Sequence, residues 1–159
     1  SYHELMYLKA EAYARLGGHD AEAEAALKLA ITASLANLQN TLAAADVEVD
    51  LSSTVSNAYY TASVKALFDA NPLQEIMIQK YLSFAGASGE SIEAYNDYRR
   101  MQAMGEDFVK LANPKNATQF PLRFVYGNSD VLANPNVKVL VGDGTYVYSE
   151  KVWWAGGTR

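Results

Sequence analysis

Apolar and polar positions alternate along this chain with the spacing of helices. Residues 2–16 place Leu5, Leu8, Ala12 and Leu16 on one helical stripe, with Tyr7, Ala10 and Ala14 on the opposite side. A helix with so little polar surface is expected between two neighbours. Ser1 and Glu4 make a capping-box pattern at its start, and Gly17–Gly18 stop it. Glu11 and Arg15, four residues apart, are expected to pair along its narrow polar edge. Asp20 reads as the cap of a second helix, in which Ala23, Ala26, Leu27, Ala30, Ile31, Ser34, Leu35 and Leu38 recur at helical spacing. The alanines allow a close approach, and the short glycine turn predicts an antiparallel pair. AEAYARLGG followed by AEAALKLAI resembles one tetratricopeptide unit, present in a single copy.

Residues 39–54 are mixed, and VEVDLSS reads equally as loop or strand. Helix-compatible spacing returns over 55–69 at Val55, Ala58, Tyr59, Ala62, Ala66 and Leu67. Asn71–Pro72 is a strong start signal, with Asn as cap and Pro at the first helical position. Leu73, Ile76, Met77, Tyr81 and Phe84 then form one stripe and Ile78, Leu82 and Ala85 another, so this helix is expected to be deeply buried. GASG breaks it. Ser88 or Ser91 can cap a further helix that ends near Gly105. Residues 105–136 carry three of the four prolines and many asparagines, a turn-rich pattern. VKVLVGDGTYVYSEKVWW predicts a short hairpin about Asp143–Gly144. The expected fold is mainly α: one tetratricopeptide-like helix pair, further helices and a long irregular C-terminal segment. At 159 residues it is expected to be one α-rich domain, 1–159.

Composition narrows the functional classes. The formal charge of −5 argues against a nucleic-acid binder. The longest apolar stretches, such as LKLAITASLANL, fall short of the roughly 20 residues that a membrane helix needs. With no cysteine, thiol nucleophiles, zinc–thiolate sites and disulfides are excluded within the chain. His3 and His19 fit no metal-ligand spacing and are expected to be solvated near helix ends. No serine sits in a GxSxG turn, and GDGT lacks the lysine of a phosphate loop. No cofactor is expected. Asn116-Ala117-Thr118 matches a glycosylation acceptor, a pattern short enough to arise by chance.

The stretch EAYNDYRR, residues 93–100, concentrates charge on one helix. Glu93 and Asp97 share a face, Arg100 can bridge to Asp97, and Arg99 lies on another face near Tyr95. Two readings compete. The arginines could form a bidentate anion clamp, or they could be scaffold, with Asp97, Arg99, Arg100 and Arg123 in a structural polar network. The scaffold reading is preferred, with the Arg99–Arg100 pair tying its helix to neighbouring chain through Asp97 and the carbonyls of residues 121–136. Glu75, Glu90, Glu93 and Asp97 could in principle supply the paired acids of glycoside hydrolysis, but exposed helix carboxylates are ordinary. Trp153 and Trp154 are the candidate ligand contacts. In extended chain they point to opposite faces, and an exposed ring could stack on a sugar; the preferred alternative is that both rings seal the domain or an interface.

YLKAEAYARLGG, IMIQKYLSFAGASGESIEAYNDYRRM and FPLRFVYGNSDVLANPNV occur in that order. They resemble the C-terminal part of the SusD/RagB family of outer-membrane lipoproteins. The likeness is most specific over residues 75–136, and the terminal EKVWWAGGTR also looks like a family ending. The resemblance implies a helical protein with tetratricopeptide-like pairs on the cell-surface side of the outer membrane of a Bacteroidota-type bacterium. It further implies an N-terminal lipid anchor outside this chain and a SusC-like TonB-dependent transporter as partner. Glycans, or peptides in some members, are captured without catalysis. Members run to several hundred residues, so this chain reads as a C-terminal portion, with ligand held mainly by N-terminal segments. The alternative is a helical tetratricopeptide-like protein-interaction module.

Overall fold

The structure is a computed structural model that describes residues 1–85, 90–114, 116, 118–142 and 144–157, the side chain of Trp154 excepted. GASG at 86–89, with the candidate cap Ser88, lies outside the described residues, as does Asp143. By its internal contacts the chain falls into two compact units, Ser1–Val109 and Lys110–Arg159. Among the described residues all regular structure is helical.

In the first unit, α1 spans Tyr2–Leu16, and the Glu4 N–H donates to Ser1 Oγ at 3.3 Å. Gly17 and Gly18 follow at φ 72° and 73°, a left-handed turn that favours glycine. α2 spans Asp20–Ala43. Asp20 is its first helical residue; His19 holds the cap position and makes no side-chain capping bond. The alanine pattern buries as spaced: Ala23, Ala26, Leu27, Ala30 and Ile31 are all buried. α1 and α2 form the tetratricopeptide-like pair. The helix runs through Ala43, so the start of the ambiguous 39–54 stretch is helical, and turn and irregular chain follow up to Ser52.

The face of α1 that packs differs from the leucine stripe. His3, Tyr7, Ala10 and Glu11 are buried, whereas Leu5, Leu8 and Leu16 are 56%, 45% and 72% exposed. The stripe was the more apolar side, but the close approach to α2 needs the small Ala10 and the flat Tyr7. His3 is likewise buried, contrary to expectation, with Nε2 3.2 Å from Ser1 Oγ.

The next helix is shifted too. α3 (Ser53–Tyr59) passes through a π-helical turn at Tyr60–Val64 into α4 (Lys65–Ala70). Ser56, Tyr60, Val64 and Phe68 are the buried positions, and the expected Ala58, Ala62, Ala66 and Leu67 are exposed. A strict four-residue spacing drifts around a helix of 3.6 residues per turn. Widening one turn to i→i+5 bonding holds such residues on one side.

α5 (Pro72–Ser83) starts as its sequence signals, with Asn71 accepting from the Gln74 N–H at 3.1 Å. It buries Ile76, Met77 and, just past its end, Phe84. It also buries Glu75, Gln79 and Lys80, while Tyr81 and Leu82 of the expected stripes are exposed. α6 spans Ser91–Ala103 and buries only Met101. The core joins Tyr7 and Ala10 of α1 to the α2 face, Tyr60, Val64, Phe68 and Ile76.

Among its described residues the second unit is irregular up to Gly127, and helical segments follow. α7 spans Asn128–Ala133 and α8 spans Pro135–Val141. The expected hairpin is therefore absent among the described residues. VKVLV lies in α8, and Thr145–Tyr148 is a 3-10 turn. Asn134–Pro135 repeats the Asn71–Pro72 start signal, with Asn134 capping the Asn136 N–H at 3.0 Å. Val141, Tyr146 and Val147 form a small core.

Candidate functional site

Charged side chains in the first unit assemble into a ladder of alternating sign. Arg15 on α1 donates from both Nη atoms to Glu106, at 2.7 and 2.8 Å, and from Nε to Glu11 at 2.6 Å. Arg100 on α6 reaches the same Glu11 with two bonds of 2.6 and 2.9 Å, and Asp97 Oδ1 at 2.8 Å. Lys80 on α5 ends the ladder, its Nζ 2.6 Å from Asp97 Oδ2. That last pair is close enough for ionic attraction but falls outside hydrogen-bond geometry. Three carboxylates and three cations thus alternate from Glu106 to Lys80.

Glu11 is central and almost fully buried. Burial pushes its carboxyl up, but the bonds from Arg100 and Arg15 outweigh that and hold it below the ordinary carboxylate range. The Arg15 bonds likewise lower Glu106. Arg99 stands apart, its guanidinium 5.7 Å from the Tyr95 ring.

The remaining carboxylates weighed for acid–base chemistry also have partners inside the fold. Glu90 accepts from the Ser1 ammonium at 2.8 Å, and Glu93 from Asn96 at 3.2 Å. Glu75 accepts from Gln79 Nε2 at 2.8 Å, and Gln79 in turn accepts from the Tyr59 hydroxyl at 3.1 Å. Burial raises the Glu75 carboxyl, partly offset by Gln79. A carboxyl raised in the folded state contributes full stability below its unfolded value and loses it as pH rises through the folded one. Glu75→Gln should therefore raise the melting temperature at pH 7.5 and change it little at pH 4. An equal shift at both values, followed by calorimetry, would contradict this.

Gln79 also lines a cleft of about 120 Å³ with Tyr7, Ser34, Tyr59, Ser83 and Leu82. Ligand pockets commonly measure about 300–1,000 Å³. This one suits a few waters rather than a sugar chain. Among the described residues no group of three or more acidic or histidine side chains is placed to hold a metal, and no helix is long and apolar enough to cross a membrane.

The second unit holds the other singled-out residues. The Arg123 guanidinium lies 5.5 Å from the Tyr126 ring centre and 5.4 Å from that of Tyr146. The two rings are 6.2 Å apart and tilted by 36°, and the Tyr126 N–H donates to the Tyr146 hydroxyl at 2.8 Å. Arg123 Nε is shut off from water and has no hydrogen-bond partner. From the sequence, Arg123 is flagged for the polar network, Tyr126 stands out only as part of the family-like stretch, and Tyr146 not at all; an aromatic 23 positions from the arginine carries no period. Trp153 is 73% exposed and starts a short 3-10 turn, Trp153–Ala155, so the opposite-face argument for extended chain does not hold there. The Trp154 side chain lies outside the described residues. In the glycosylation-like tripeptide, Asn116 Oδ1 accepts from the Thr118 N–H at 3.2 Å and from its hydroxyl at 2.9 Å; Ala117 is outside the described residues.

No protein-family model matches the chain, and no curated protein does. Among solved structures, it is similar to the crystal structure of a SusD/RagB family protein from Bacteroides thetaiotaomicron. The two share 51% sequence identity and a TM-score of 0.78. The match covers all of this chain and 35% of that one, so the chain spans about a third of that relative's length.

Proposed function

Because the chain belongs to the SusD/RagB family, we propose that it is part of a nutrient-capture protein on the outer face of the outer membrane, working with a SusC-like TonB-dependent transporter. The observation that carries this reading is the full coverage of the chain at 51% identity. The role is binding, not catalysis. The carboxylates that hydrolysis would require are engaged in the ladder or with local partners, which supports that side of the reading. Glycan is the proposed ligand, and the lipid anchor and most ligand contacts are assigned to parts of the protein beyond this chain. Within it, Trp153 offers an exposed ring for stacking on a sugar face.

A second reading rests on a specific observation. The Leu5, Leu8, Ala12 and Leu16 face of α1 is apolar and exposed, as in a helical module that binds a partner protein. Affinity capture from outer-membrane extract separates the two. Recovery of a TonB-dependent transporter is the expected result. Recovery of unrelated soluble proteins, lost in a Leu5→Asp/Leu8→Asp variant, would favour the module.

A further inference from the structure

Arg123 differs from the arginines of the ladder. Arg15 and Arg100 each grip a carboxylate with two bonds. Arg123 instead rests against two tyrosine rings, and among the described residues no carboxylate pairs with it. Rings beside a guanidinium leave its in-plane donors free of ion pairing; Nε is shut off from water, so the Nη pair is what a ligand would meet. A partly buried cation with no counter-ion among the described residues is costly, and a ligand carboxylate, which matches the guanidinium fork, would relieve that cost. Tyr146 is buried and its hydroxyl is engaged by the Tyr126 N–H, so the cation's platform is fixed in advance. Tyr126 is 43% exposed and lies beside the charge. The chain's −5 charge repels anions at long range, so any anion held here must be held by contact.

We infer that Arg123 and Tyr126 form a subsite for a carboxylate-bearing sugar: the uronate carboxylate meets the Arg123 Nη donors, and the pyranose ring lies on Tyr126. The sugar class rests on the capture role proposed above; the carboxylate preference rests on Arg123 alone. The test is calorimetry of the 159-residue chain with trigalacturonate, maltotriose and a tri-glutamate peptide, joined to NMR of the arginine Nε–H resonances. Trigalacturonate should bind about tenfold or more tighter than maltotriose and shift the Arg123 resonance. Arg123→Gln should remove that preference. Tyr126→Ala keeps the cation and trims an exposed ring, so it should fold normally and weaken trigalacturonate binding. Equal binding of the acidic and neutral trisaccharides, or a preference that survives Arg123→Gln, would overturn the subsite while leaving glycan capture standing. Tri-glutamate binding at Arg123 without trigalacturonate would overturn the sugar assignment. The transporter-capture experiment judges the broader role independently.

Discussion

Glu11→Ala should lower the thermal midpoint by roughly 5–10 °C, a loss of about 2–3 kcal/mol. Glu11 accepts from both Arg15 and Arg100, and its side chain is only 6% exposed. Removing it leaves two guanidinium groups facing each other across a half-buried gap. Breaking a buried ion pair from one side commonly costs about 3–5 kcal/mol. The arginines, 25% and 38% exposed, recover part of that through water, hence the lower figure. Arg100→Ala should cost less, about 1 kcal/mol, because Glu11 keeps Arg15 and Asp97 keeps Lys80. The wild type should also lose stability in acid. A carboxyl held low in the folded state contributes above its unfolded value, and that contribution fades as pH falls through the folded one. Glu11→Ala should show a shallower acid slope. Melting identical to wild type from pH 3 to 7 would mean that the ladder is decoration.

Leu27→Ala should destabilise by roughly 2–5 kcal/mol, whereas Leu8→Ala should stay within about 0.5 kcal/mol. Leu27 is fully buried between the paired helices, so its loss leaves a cavity as well as removing apolar contact. Leu8 is 45% exposed. Had the α1 leucine stripe faced the core, both substitutions would cost alike. Urea unfolding of the two variants side by side decides the register of α1.

How much could be read in advance depended on whether a residue's fate was settled locally. Asn71–Pro72 started a helix, Gly17–Gly18 ended one, and the alanines of α2 buried where they were spaced, because each signal acts within a turn or two. Asn134–Pro135 carried the same start signal as Asn71–Pro72, but the β-like VKVLV behind it drew the reading towards a hairpin. α5 buries Ile76, Met77 and Phe84 of its expected stripe but not Tyr81, and the face of α1 differs altogether, because hydropathy ranks Leu5 above Glu11 and Tyr81 above Lys80. Glu11 and Lys80 are buried with partners far away in sequence. Glu11 and Arg100 are 89 positions apart, a separation that no periodicity reveals. EAYNDYRR did place Arg100 beside Asp97, an i,i+3 relation, while the longer arm to α1 was illegible.

α6 fully buries a single side chain, Met101, with Tyr95 and Tyr98 half-buried, and grips α1 and α5 through the charges of Arg100 and Asp97. Such a segment is fastened with clasps rather than glue. It should be the first part of the unit to swing loose in acid or brine, while the oily α1–α2 pair stays shut.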